Sequence, residues 1–297
     1  MTPSLVAVGV VLLLQAAYLA AVHWVARSND ALPELVPLDA LALPGARVLL
    51  AVRATRPAVS RPFVDYDGSA VAFAPRESPG PTSTMQPEQA TFAGGVAQVE
   101  IKAPVAPGAY AIEARHSSSS PTGTEPPSAP SLDVANIVLE VAPSDRPLLF
   151  VTVPETVSSG LEQPGLGGAA TALKALQARF ALVYVALREF DSPERLRAWL
   201  ARNSVPLGPV LTARQPGDGE KGGLDRLLGK LQLDRWKGPH AAIVSNAAEA
   251  GVFAARGFRV AVLGATPGGA ADSRSAAARI HGALSWNDAM KIIEGSR

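Results

Sequence analysis

Residues Leu5 to Ala26 run for 22 positions without one charged side chain, and nothing else in the sequence constrains the chain so strongly. At about 1.5 Å rise per residue, a helix of this length covers the ~30 Å hydrocarbon core of a bilayer. The competing reading is a cleaved secretory leader, which calls for a basic residue ahead of the run and a small residue before the cut. No Lys or Arg precedes Leu5, and Leu19 or Trp24 stands where the small residue is wanted. A retained single-pass anchor over residues 1–27 is therefore expected. Arg27 follows the run directly, so the positive-inside rule puts the N-terminus outside and the C-terminal bulk in the cytoplasm.

Gly9, Ala16, Ala20 and His23 recur at helical spacing, and Ala17 and Ala21 widen the same stripe. Small residues there let another helix approach closely, which points to other integral membrane subunits as partners; the alternative is that alanine is merely common in this chain. His23 beside Trp24 reads first as an interfacial anchor pair. Its other reading is a neighbour of a pigment or haem.

Charge is sparse: 27 basic and 26 acidic residues leave a net +1, with no basic stripe, so nucleic acid is not an expected partner. Cysteine is absent, which removes disulfides, thiolate metal sites and cysteine nucleophiles together. Abundant Gly, Pro, Ala and Arg suit a GC-rich bacterial genome, so the expected membrane is a bacterial inner membrane. No cofactor and no metal are expected.

Residues 28–45 contain three prolines and no long periodic segment, and read as a linker. From Arg47 the pattern turns to short β-type runs: Val48–Ala54, Ala70–Ala74, Val96–Ala103, Tyr110–Arg115 and Val134–Val141. Strands this short, broken by Pro and Gly, predict a β-sandwich over residues 46–143. The stretch Gly95-Val-Ala-Gln-Val-Glu-Ile-Lys-Ala-Pro, followed by Ala106-Pro-Gly-Ala-Tyr-Ala-Ile-Glu-Ala, resembles the last two strands of bacterial Ig-like domains. That resemblance implies a module that holds, spaces or binds. Ser117–Pro130, rich in Ser, Pro and Thr, reads as a loop, and His116 as a strand-end residue without a second ligand.

After Pro143 strand and helix alternate. Strands are expected at Leu148–Val153, Ala181–Leu187, Pro209–Thr212, Ala241–Ser245 and Arg259–Leu263. Helices are expected at Ala169–Phe180, Pro193–Asn203, Gly222–Leu231, Ala247–Ala255 and Trp286–Glu294. Repeated βα units predict a parallel sheet covered by helices over residues 144–297. Three stretches resemble the haloacid-dehalogenase-like superfamily and its lipin-type phosphatidate phosphatase branch. They are Leu148-Leu-Phe-Val-Thr-Val-Pro-Glu-Thr-Val, Leu196-Arg-Ala-Trp-Leu through Pro206-Leu-Gly-Pro-Val-Leu, and Ala242-Ile-Val-Ser-Asn-Ala-Ala-Glu-Ala through Gly257-Phe-Arg-Val-Ala-Val-Leu-Gly.

That resemblance implies an Asp nucleophile closing the first strand and a second Asp two residues on. The nucleophile must be a carboxylate, because it forms an acyl-phosphate and helps hold magnesium. With Thr156 on the motif's threonine, the two aspartate positions hold Thr152 and Pro154. Ala186 stands at the second motif, Ser245 and Asn246 at the acidic fourth, and Lys221 at the phosphate-binding lysine, although a lone Lys without carboxylates reads first as a solvated surface charge. The implied domain has the fold without the enzyme.

The fold class expected is therefore multi-domain: one transmembrane helix, an Ig-like sandwich and an α/β parallel-sheet domain of the haloacid-dehalogenase-like kind. The function expected is a non-catalytic, membrane-anchored accessory or assembly subunit, of a photosynthetic or respiratory complex for example. Its protein partners would meet the two soluble domains, and the bilayer its anchor. The alternatives are a membrane-bound phosphatase using Glu155 or Asp191, and a module that senses a lipid or phosphate ligand.

Overall fold

The computed structural model describes residues 34–55, 68–76, 85–117, 134–153, 156, 167–187, 193–213, 223–265 and 279–295. Fourteen strands are found among them. Eight form two sheets: β1 (Glu34–Leu38), β2 (Ala40–Ala42), β3 (Arg47–Thr55), β4 (Ala70–Pro75), β5 (Glu88–Thr91), β6 (Val96–Lys102), β7 (Gly108–Ser117) and β8 (Val134–Val141). One sheet has the order β1-β3-β6 and the other β2-β8-β7-β4-β5. Alternation along β8 turns Ala135, Ile137, Leu139 and Val141 inward. They meet Leu50, Val52 and Ala54 of β3 and Ala97 and Ile101 of β6 in one core, so the sheets stack as a β-sandwich. The five-stranded sheet is mixed, because β2 runs parallel to β8 while the other pairs are antiparallel.

The remaining strands are β9 (Leu148–Val153), β10 (Ala181–Ala186), β11 (Val210–Thr212), β12 (Ala241–Val244), β13 (Arg259–Leu263) and β14 (Ile280–Ala283). They make a sheet of order β11-β10-β9-β12-β13-β14 in which every pairing is parallel. β9 and β10 are buried at every position, as strands covered on both faces must be. The covering helices are α1 (Ala169–Gln177), α2 (Pro193–Arg202), α3 (Gly223–Lys230), α4 (Ala247–Ala255) and α5 (Trp286–Glu294). Helices α1, α2 and α5 share one core layer with Trp199, Leu173 and Ile293. Helices α3 and α4 share the other, built around Phe150, Phe253 and Phe258.

Several helix ends are set by short polar residues. Asn246 accepts from the Glu249 amide at the start of α4, and Ser285 from the Asp288 amide at the start of α5. Gly295, at φ 75°, ends α5 in the left-handed region that glycine tolerates.

The expected fold class needs correcting. The chain is an α/β protein with mixed sheets and a parallel-sheet region, and among the described residues no helix is long and apolar enough to cross a membrane. The run from Leu5 to Ala26, with Gly9, Ala16, Ala17, Ala20, Ala21 and His23, lies outside the described residues. Residues Glu34–Leu38 and Ala40–Ala42 are strands and not a tether. β2 adds to the free edge of β8 while Leu41 and Leu43 pack against the α3/α4 core layer, so this segment belongs to both units at once. Sequence patterning also passed over β5 and β14. β5 has no buried position and β14 one, so neither carries the apolar alternation that marks a strand.

Candidate functional site

In an open parallel sheet, ligands gather beyond the carboxyl ends of the strands where the winding reverses. Here the reversal falls between β9 and β12. Thr152, near the end of β9, is fully buried, and its carbonyl accepts a bond from the Thr156 hydroxyl. Its own Oγ1 has no hydrogen-bond partner among the described residues. Ala186, at the end of β10, packs into the α1/α2 core layer. Asn246 follows β12 and is spent on α4: its Oδ1 accepts the Glu249 amide and its Nδ2 donates to the Glu249 carboxylate. A side chain fixed in a helix cap is not free to hold a metal. Ala186 therefore serves packing and Asn246 capping, while Thr152 is buried with its hydroxyl unpartnered among the described residues. Pro154 and Lys221 lie outside the described residues, as do Glu155 and Asp191. His116 engages Ser69 Oγ at 2.9 Å, and His281 is exposed.

A second concentration of polar chemistry lies where the sandwich meets the parallel sheet. β2 pairs with β8 only from Leu139 to Val141, which leaves the earlier edge of β8 without a strand partner. Its backbone groups are satisfied by side chains instead. Asp39 Oδ1 accepts from the Val138 amide at 2.9 Å, and Oδ2 from the Val210 amide of β11 at 2.9 Å. Glu194 of α2 accepts from the Asn136 amide at 2.9 Å. Arg197 of α2 donates to Asp39 through Nη1 and, through Nη2, to the Asn136 carbonyl at 2.6 Å. The Asp39 side chain has 0% exposure and that of Arg197 14%, so the pair is sealed between the two units. Burial pushes the Asp39 carboxyl above its ordinary range, while Arg197 and the two backbone amides pull the other way.

Beside this node opens a cleft of about 700 Å³. Its floor is the outward face of β3 and β6, where Leu49, Ala51 and Arg53 alternate outward opposite Gln98 and Val96. Its far wall comes from α3 and the short 3-10 turn Leu233–Arg235, with Leu227, Leu231 and the buried Trp236. Four cationic side chains line it, Arg47, Arg53, Lys230 and Arg235, against Asp39 as the acid among the described lining residues. Asp39 is already committed to Arg197.

No family model matches this chain, and no curated protein matches it. Solved structures give matches of low overall likeness. WR4, an MSP family member of C. elegans, is 15% identical and aligns over 38% of this chain and 100% of its own, with a TM-score of 0.23. A chimeric titin Z1Z2 tandem is 18% identical over 41% of this chain and 56% of its own, at 0.20. PhoD is 12% identical over 65% of this chain and 43% of its own, at 0.29. At such scores the likeness carries no argument. Nothing in the comparisons supports the haloacid-dehalogenase-like or lipin-type resemblance.

Asp39 sits in the segment whose local pattern predicts a linker, so the node leaves little mark in the sequence. One signal was present: it is the single acid inside the otherwise apolar run Leu35-Val-Pro-Leu-Asp-Ala-Leu-Ala-Leu. A charge so placed is either exposed on an apolar strand or buried with a partner. The partner, 158 residues away, carries no mark in the sequence.

Proposed function

We propose that the chain is a non-catalytic accessory or assembly subunit that stabilises a larger membrane protein complex. The observation that carries this reading is the node of Asp39, Arg197, Asn136 and Glu194, which locks the sandwich and the parallel-sheet unit against each other. A body whose two units are tied by a buried, hydrogen-bonded ion pair suits bracing and spacing better than a cycle of opening and closing, because breaking such a pair is costly. Ala186 and Asn246 support it too, since packing and capping already occupy them.

Attachment to a membrane rests on the uncharged run from Leu5 to Ala26 alone, and the cytoplasmic side on Arg27. The partners in this reading are integral membrane subunits, of a photosynthetic or respiratory assembly for example. Extraction of the native membranes in mild detergent, light scattering, and mass spectrometry of what co-purifies test it. Fixed stoichiometry with one or more integral membrane proteins is the expected result. A chain that leaves the membrane as a lone monomer overturns the proposal.

A further inference from the structure

We propose that the cleft between β3, β6 and α3 binds a single-chain amphiphile with an anionic head group, a carboxylate or a phosphate on an alkyl tail. The site is independent of the accessory-subunit reading and of the carboxyl edge of the parallel sheet. Three observations converge on it. The cleft volume of about 700 Å³ lies in the range of small-molecule sites. Its walls divide by chemistry: Leu49, Leu227 and Leu231 supply hydrocarbon, while Arg47, Lys230 and Arg235 bring positive charge to the same space. Leu49 is 52% exposed, a large apolar side chain that the fold leaves half uncovered on the cleft floor.

The cations are open to an incoming anion. Arg47 is paired with Glu100, yet both ends of that pair are largely exposed, with side-chain accessibilities of 83% and 56%, so it yields readily to a better-placed acceptor. Arg235 is bonded to the neutral amide of Gln232, which leaves its charge uncompensated by that contact. Lys230 is exposed and makes no ion pair among the described residues. A free inorganic anion would use this charge and leave Leu49 wet. A neutral chain would cover Leu49 and ignore the charge. An anionic amphiphile uses both.

The test follows acetylation of Lys230 in the full chain by mass spectrometry, with the exposed Lys174 and Lys291 as internal references. The added probes are octanoate, octyl phosphate, octyltrimethylammonium and inorganic phosphate at matched concentrations. Octanoate or octyl phosphate is expected to slow Lys230 acetylation by about threefold or more near twice its dissociation constant, leaving the references unchanged. Whichever of the two protects at lower concentration identifies the head group. Leu49→Asp, an exposed position whose change leaves the core intact, is expected to abolish protection, and Arg235→Glu to weaken it. The proposal is overturned if neither anionic amphiphile protects, if inorganic phosphate or octyltrimethylammonium protects equally, or if Leu49→Asp protects like the parent chain.

Discussion

Replacing Asp39 by alanine would strip three groups of their buried partner at once. Arg197, with 14% side-chain exposure, would keep its charge without the carboxylate it faces. The Val138 and Val210 amides, each now 2.9 Å from a carboxylate oxygen, would lose their acceptors. Breaking a buried ion pair by removing one member costs about 3–5 kcal/mol, and each orphaned buried amide about 1–3 kcal/mol. These terms overlap, because water admitted to the vacated site would serve several groups together. We expect a net loss of about 4 kcal/mol or more, a large share of the ~5–15 kcal/mol that holds a typical domain. Asp39→Asn should cost less but still about 2 kcal/mol, since its amide nitrogen would meet a second donor where Oδ2 now accepts. The assay is urea denaturation of the full chain, read by far-ultraviolet ellipticity and tryptophan fluorescence together. In the parent protein the two signals should fall in one transition. In Asp39→Ala the midpoint should drop and the signals separate as the units uncouple. A cycle through Asp39→Leu, Arg197→Met and the double variant should return a coupling of about 2 kcal/mol. If Asp39→Ala lowers stability by less than about 1 kcal/mol, the node is not what joins the two units, and the bracing argument fails.

Other consequences are smaller. His240 is half-buried, and its Nδ1 accepts from the Leu148 amide at 3.2 Å, which requires the neutral ring. Burial holds its pKa below the ordinary 6.5. The unfolded chain therefore binds the proton first, so stability is full above that value and is lost as pH falls through 6.5 toward the folded pKa. A melting temperature that declines between about pH 7.5 and 5.5, with the slope reduced in His240→Asn, is the expected result. Gly208 approaches β10 so closely that an added Cβ would stand 2.7 Å from the Leu182 carbonyl oxygen. Gly208→Ala should cost about 1–3 kcal/mol in the same denaturation assay, where an unchanged midpoint would contradict the contact. Asn246→Ala removes the α4 cap and should lower stability by about 1 kcal/mol.

How much of this was legible beforehand depends on where the signal is stored. Helices α4 and α5 and strands β8, β9 and β13 fall where periodicity and end signals place them, because each carries its own apolar face or cap within a few residues. Residues 34–42 were misread for the opposite reason. Pro37, the acids Glu34 and Asp39 and the lack of a long periodic run look like a linker locally; pairing with β3 and with the edge of β8 turns the segment into strands, and Arg197, 158 residues on, turns Asp39 into half of a buried ion pair. The haloacid-dehalogenase-like resemblance rests on three short stretches and on the order of strand and helix; any doubly wound sheet shares that order, and the stretches lack the carboxylates that would make them specific. The cleft was invisible in the same way: Leu49, Lys230 and Arg235 are ordinary surface residues until β3 and α3 are set face to face.

The node also bears on the cleft. Asp39 is committed to Arg197, so it does not offset the charge of Lys230 and Arg235 on the same cleft. Neutralising Arg197 by Arg197→Met would release Asp39 as an uncompensated acid on the cleft wall. The same substitution that weakens the junction should therefore weaken binding of octanoate, although Arg197 does not line the cleft. Lys230→Gln removes an exposed charge that takes no part in the Asp39–Arg197 node and should reduce octanoate binding with no change in the denaturation midpoint, measured by equilibrium dialysis alongside urea titration. If Arg197→Met loosened the fold while binding held at the parent value, the cleft and the junction would be electrostatically independent, and the charge balance argued for the site would be wrong.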